Sequence, residues 1–325
     1  MTKKARISLI VVASVVAIIF VALMIYFFGA RYPDFDKLAK KEFAIPGLDT
    51  SFVPQGLEYD SQNQIFLVSG YMSDNSASRI YVVDRATGQT LKYITLQKDG
   101  ADYSTHFGGV AVYNDIVWVA GDKELATFSL TDLISAQNAG KIALKSTIAT
   151  GNGCDFVLTK GNQLIVGEFY RAGSYETPVA HHINTTNGKN YALAYIYNIN
   201  ESYPIGFAST VPAAVLSLPN QVQGMSFNKD GNIILSTSYS VPDSVIYTHQ
   251  NVFANTTTQT INLFEQDIPL YVLDDNTLRA KLVAPAMAEE VVLVEDRVYV
   301  LFESACQKYK LVNRTRTTDV LSLDI

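Results

Sequence analysis

Five short segments put hydrogen-bonding or acidic residues at matched places in a recurring pattern. They read Pro54-Gln55-Gly56-Leu57, His106-Phe107-Gly108-Gly109, Gly153-Cys154-Asp155-Phe156, Val222-Gln223-Gly224-Met225 and Ala288-Glu289-Glu290-Val291. The matched residues are Gln55, Gly108, Cys154, Gln223 and Glu289, spaced by 53, 46, 69 and 66 residues. His106, Asp155 and Glu290 stand beside them. Two amides, an imidazole and several carboxylates gathered in one ring would bind a small polar ligand or ligate Ca²⁺ through oxygen atoms. The plainer alternative is that they bond one another and channel water. A second set follows 14 or 16 residues later: Tyr71, Asp122, Glu168, Tyr170, Tyr239 and Glu303. An even separation places it on related strand faces, where its aromatics serve either recognition or packing. Asp155, Glu168 and Glu289 are the candidates for a shared cation.

Other chemistry is thin. His181 and His182 are adjacent, so on a strand they point opposite ways, and no third metal ligand is near in sequence. Nucleophile elbows, zinc signatures, phosphate loops and EF-hand loops are absent. Cys154 and Cys306 are the two cysteines. Nothing in the sequence brings them within bridging distance, and they read as buried free thiols.

Each matched residue opens a pair of strands joined by a turn. In the first unit residues 54–59 are followed by Asp60-Ser61-Gln62-Asn63 and residues 65–71, then by two more strands over 79–84 and 91–94. In the fourth, Met225 and Phe227 alternate with polar residues before Asn228-Lys229-Asp230-Gly231 turns the chain. Four-stranded units at this period predict an all-β fold, a β-propeller. Five units are visible. A sixth blade is the alternative, if residues 191–218 hide a degenerate start. Insertions at 171–190 and 242–260 are polar and predict surface loops. Closure is expected from residues 43–45 joining 320–323 in the last blade. In such a ring the first strands line a central channel and their starts converge at one mouth.

The units opening Gln55-Gly56-Leu57-Glu58-Tyr59 and Gln223-Gly224-Met225-Ser226-Phe227 resemble blades of the strictosidine-synthase-like, gluconolactonase and NHL group of propellers. The fifth unit, from Pro285-Ala286-Met287-Ala288-Glu289-Glu290 to Leu301-Phe302-Glu303-Ser304, is similar to uncharacterised secreted or membrane-anchored bacterial propellers. The gluconolactonase resemblance implies a Ca²⁺-dependent lactonase- or esterase-like hydrolase with an axial metal. In those enzymes the first blade opens Glu-Gly-Pro and the Glu binds the metal. Here that place holds Gln55, while Glu289 occupies the equivalent repeat position in the fifth unit.

The chain of 325 residues has a net charge of −6 and no basic block, which excludes nucleic acid as the expected partner. Residues 1–6 form a short basic tail with Lys3, Lys4 and Arg6. Residues 7–30 carry no charge, a length suited to a hydrocarbon core of about 30 Å. That run is longer than the apolar region of a cleaved signal peptide, so a single-pass signal-anchor is expected, followed by a tether over 31–45 and the propeller over 46–325. Within the tether, Asp36 is expected to cap a short helix running through Lys41. Basic residues flank the span on both sides, Arg31, Lys37, Lys40 and Lys41 following it, so the charge count is nearly even. The short basic tail and the Asn-, Thr- and Tyr-rich body favour a body outside the cell membrane. Sequons occur at Asn184, Asn200, Asn255 and Asn313. The sequence thus predicts a membrane-anchored extracytoplasmic propeller with a ligand-binding or protein-interaction role, for a small polar ligand or a cell-surface protein. The Ca²⁺-dependent hydrolase and a structural scaffold within a membrane complex are the alternatives.

Overall fold

The computed structural model describes residues 3–28, 32–150, 153–186 and 188–325, with side chains of the first helix described over 10–25. Helix α1 spans Lys3–Phe28. The remaining residues of the expected tail and anchor, 1, 2, 29 and 30, lie outside the described residues. Among the described residues no helix is long and apolar enough to cross a membrane.

The body is a five-bladed β-propeller. Blade one comprises Phe52–Asp60, Ile65–Met72, Arg79–Asp84 and Thr90–Lys98, and blade two Phe107–Tyr113, Ile116–Gly121, Glu124–Ser129 and Ser146–Ala149. Blade three is Phe156–Lys160, Gln163–Gly167, Ala192–Asn198 and Ala214–Leu218. Blade four is Val222–Phe227, Ile233–Thr237, Ser244–His249 and Leu278–Ala284. Blade five takes Ala288–Val294, Arg297–Phe302 and Asp319–Leu323 from the C-terminus and its outer strand, Ala39–Ala44, from the N-terminal part. The closing strand is longer than expected, and Phe43 buries its ring 4.7 Å from that of Phe66. Burying a phenylalanine is worth about 1.5–3 kcal/mol, so closure rests on side chains as well as on the strand pairing.

The strand period places the core between blades. Residues alternating along each strand fill successive gaps: Leu67, Ile80, Phe107 and Phe128 between blades one and two, Trp118, Val157 and Leu164 between two and three, and Phe156, Leu216, Met225 and Leu235 between three and four.

Three expectations change. Residues 191–218 do not begin a sixth blade. They supply the two outer strands of blade three, paired antiparallel from Ala192↔Leu218 to Ile196↔Ala214. The second insertion begins later than expected, because Ser244–His249 is a blade strand. The inserted hairpin Thr260–Leu263 and Gln266–Val272 then extends blade three, with Val215 paired in parallel to Leu270. Helix α2 runs Pro33–Leu38 with Pro at its first turn, where a missing N–H costs nothing. Asp36 therefore sits inside it rather than at its cap. Of the sequons, Asn184, Asn200 and Asn255 are exposed, but Asn313 is fully buried and closed to a glycan. Cys154 and Cys306 are buried and unbridged.

Candidate functional site

One irregularity repeats at the start of the inner strands. Pairing with the second strand skips between Pro54 and Gly56 in blade one, Phe107 and Val110 in blade two, Val222 and Gly224 in blade four, and Ala288 and Val291 in blade five. In blade three the inner strand begins only at Phe156, after Asp155. A bulge leaves a residue unpaired and re-aims its side chain. Gln55, Gly108, Gln223 and Glu289 occupy these bulges, and with Cys154 and Asp155 they face one end of the axis. The glycines beside them serve close approach. A Cβ on Gly56 would overlap the Gly108 carbonyl and the Ser69 hydroxyl, and one on Gly224 would overlap the Glu290 carboxyl. The Gln-Gly pair thus presents a polar side chain and lets the neighbouring inner strand pass against its backbone.

The mouth is a cavity of about 310 Å³. Its floor holds Gln55, Gln223, Asp155 and Glu289, and Glu303 enters from the end of the second strand of blade five. Gln55 Nε2 donates to Glu303 Oε2 at 2.9 Å. Glu289 lies within hydrogen-bonding reach of Glu303 and Ser238, and burial with the adjacent Glu303 and Glu290 charges raises its carboxyl well above the ordinary range. Burial pushes Glu303 up to about 8. Burial and the neighbouring carboxyl thus bias both groups toward the protonated form. Glu289 Oε1 has no partner although the residue is 2% exposed. Asp155 Oδ2 accepts from the Phe169 amide at 2.7 Å. Removal from water, with the Glu168 and Asp122 charges, pushes its carboxyl up to about 7.

The walls are aromatic. Tyr71 stacks on His106 with ring centres 4.0 Å apart, and its hydroxyl accepts from Lys308 at 2.7 Å. Crowding of the His106 ring lowers its proton affinity even though the residue's edge is exposed. Asp122 serves to fix this corner: its carboxylate accepts from the Thr105 hydroxyl at 2.9 Å and the His106 amide at 3.0 Å. Tyr239 faces Phe169, and the Arg171 guanidinium lies 3.8 Å over its ring. Phe169, Tyr175, Tyr309, Met287 and Ser240 complete the lining. None of these five stood out in the sequence. Tyr175 and Tyr309 come from loops that no periodicity marks.

Three named residues lie elsewhere. Glu168 is fully buried behind the mouth, where it takes the Tyr195 hydroxyl at 2.8 Å, the Leu193 amide at 3.0 Å and His181 Nδ1 at 2.9 Å. His181 belongs to a turn, Val179–His181, and is buried rather than carried on a surface loop. Tyr170 stacks on Tyr191 at 4.6 Å under the same insertion. Glu290 points to the opposite end of the axis. There, with Glu58, Lys160 and apolar residues of all five inner strands, it lines a separate cavity of about 230 Å³. Its Oε1 accepts the Met225 and Val291 amides at 3.2 and 3.1 Å, and burial raises its proton affinity.

This donor set does not fit an axial Ca²⁺. Glu168 is buried behind the mouth in bonds to His181, Tyr195 and Leu193, and Gln55 is bonded to Glu303. Among the described residues no group of three or more His, Cys, Asp or Glu is placed to hold a metal. Nor is Cys154 a ready nucleophile, because full burial raises its thiol above the range where a thiolate forms. What remains is a polar floor of amides and of acids with raised proton affinity, set between aromatic walls.

No protein-family description matches the chain, and no curated protein resembles it in sequence. Solved structures do share its course. A PQQ-bound aldose sugar dehydrogenase from Streptomyces coelicolor aligns over 88% of this chain and 96% of its own, with 11% identity and a TM-score of 0.48. A protein of unknown function from Bacteroides thetaiotaomicron aligns over 88% and 75%, at 11% identity and 0.40. Hydrazine synthase of Kuenenia stuttgartiensis aligns over 77% and 80%, at 14% identity and 0.42. Likenesses of this degree carry nothing about activity, and the propeller assignment rests on the strand pairing itself.

Proposed function

We propose that this chain is a membrane-anchored extracytoplasmic propeller that binds a small, neutral, hydroxyl-rich ligand in its mouth. The observation that carries the binding role is a cavity of about 310 Å³ at the mouth, with the buried Glu289 carboxyl at its floor. Glu303, Gln55 and Gln223 add further donors and acceptors, while Tyr71, Tyr239 and Phe169 offer faces for the apolar side of such a molecule. An uncharged, hydrogen-bonding partner suits this acidic floor better than an anion. The uncharged run of residues 7–30 supports the anchor.

The test is a set of thermal melts on the full chain in detergent, against a panel of sugars and polyols and, separately, Ca²⁺. A ligand at a hundredfold excess over its Kd adds about 2.7 kcal/mol to stability. At least one polyol is expected to raise the melt for the wild type and to lose most of that effect in Glu289→Ala. If no panel member shifts the melt, or if Ca²⁺ alone does, the reading fails. Protease accessibility on intact cells tests the placement: a body shielded from external protease refutes it.

A further inference from the structure

The point where the chain leaves α1 selects the face of the ring nearest the membrane. Tyr32 is already part of the body: it is buried, and its hydroxyl donates to Asp243 Oδ1 at 2.8 Å. Asp243 also pairs with Arg314. Asp243 belongs to the segment between Ile233–Thr237 and Ser244–His249, whose Tyr239 and Ser240 line the mouth. Arg314 belongs to the segment between Phe302 and Asp319, whose Tyr309 lines it too. Tyr32 is therefore fastened to the mouth face. Four Cα steps separate it from Phe28, the end of α1, and they reach at most about 14 Å.

That face has the composition of a membrane-binding surface. Residues 304–318 contain Lys308, Lys310, Arg314 and Arg316 and no acid, in a chain whose net charge is −6. Leu311 is 77% and Val312 55% exposed within the same segment, and across the mouth Val179 is 81% exposed. Apolar side chains beside Lys and Arg suit the boundary between headgroups and acyl chains, and basic residues are drawn to anionic lipid. Leu91, Tyr203 and Phe264 are exposed as well, on three separate segments at the other end of the ring. Exposure alone does not choose a face, and the attachment of Tyr32 does.

We infer that the mouth face lies on an anionic lipid surface, with Leu311 and Val312 entering the headgroup boundary and Lys308, Lys310 and Arg316 meeting phosphates. This rests on the reading that α1 spans the membrane, so the experiment separates the two. The full chain is reconstituted into phosphatidylcholine vesicles with or without phosphatidylglycerol, carrying a quencher at the headgroup boundary. An environment-sensitive dye is attached to Val312→Cys, to Val179→Cys or, at the opposite end, to Ser61→Cys. The wild type, with its buried thiols, serves as the labelling blank. Quenching is expected at 312 and 179 and not at 61, and Lys310→Glu with Arg316→Glu should lower it at 312 at least twofold in the anionic vesicles. Equal quenching at 61 and 312, or none at either, in vesicles that retain the chain through a carbonate wash overturns the docking and leaves the anchor standing. Release of the chain by carbonate overturns the anchor, and the docking with it.

Discussion

Replacing Glu303 by Gln should flatten the dependence of stability on pH. In the folded chain burial pushes the Glu303 carboxyl from an ordinary 4.5 up to about 8. A carboxyl with a raised folded value binds more protons when folded than when unfolded. Its contribution is fully present below the unfolded value near 4.5 and is lost as pH rises through about 8. One excess proton corresponds to about 1.4 kcal/mol per pH unit. Across that window the ceiling is roughly 5 kcal/mol, and the measured share should be a few kcal/mol because the adjoining Glu289 titrates together with it. Glu303→Gln keeps the volume and can still bond Gln55, but it has no proton to lose. Urea unfolding of the full chain at about pH 5 and about pH 8 measures the effect. Variant and wild type should be close at the lower pH. At the higher pH the variant should be more stable by a few kcal/mol. A residual slope should remain in the variant, from Glu58, which burial pushes up to about 8, and from Asp155. Parallel profiles for the two proteins would show that the pair is ionised in the folded state, and the neutral-acid account of the mouth would be wrong.

Two further substitutions test how the site is held. Gly224→Ala places a methyl against the Glu290 carboxyl and its Cα, so denaturant unfolding should show a loss of about 1–3 kcal/mol, whereas alanine at Gly188, which has open space around its Cβ position and no left-handed backbone, should lose less than half of that. His181→Ala leaves the fully buried Glu168 without its imidazole partner. Leaving a buried polar group short of a hydrogen-bond partner costs about 1–3 kcal/mol, and ligand binding at the mouth should survive in whatever fraction remains folded.

Much of the fold was legible because turn chemistry and period agree along the chain. Asp60-Ser61-Gln62-Asn63, Asn114-Asp115, Gly161-Asn162, Asp230-Gly231 and Glu295-Asp296 each close the inner pair of a blade. The sixth-blade alternative arose from a different source. Residues 191–218 are apolar and strand-forming, which is equally true of outer strands, and periodicity does not say which position in a blade a strand takes. The hairpin at 260–272 was missed because its partner, Ala214–Leu218, is distant in sequence and belongs to another blade.

The site shows where such reasoning slips. Four of the five units count correctly from first to second strand: Gln55 to Tyr71, Gly108 to Asp122, Gln223 to Tyr239 and Glu289 to Glu303 all bring mouth-lining residues together. In the third unit the same count from Cys154 arrives at Glu168 and Tyr170, which face away. Counted from Asp155 it arrives at Phe169, which lines the mouth and whose amide bonds the Asp155 carboxylate. A shift of one residue exchanges the two faces of a strand. The other four inner strands carry a bulge at the matched place, and blade three lacks it because its inner strand starts only at Phe156. Bulges have no fixed residue type, so a sequence pattern matched by side-chain character chose the wrong member of the Cys-Asp pair. The correction also changes the chemistry. It replaces an acid by a phenyl ring at the rim, and Glu168 is no longer placed to share a cation with Asp155.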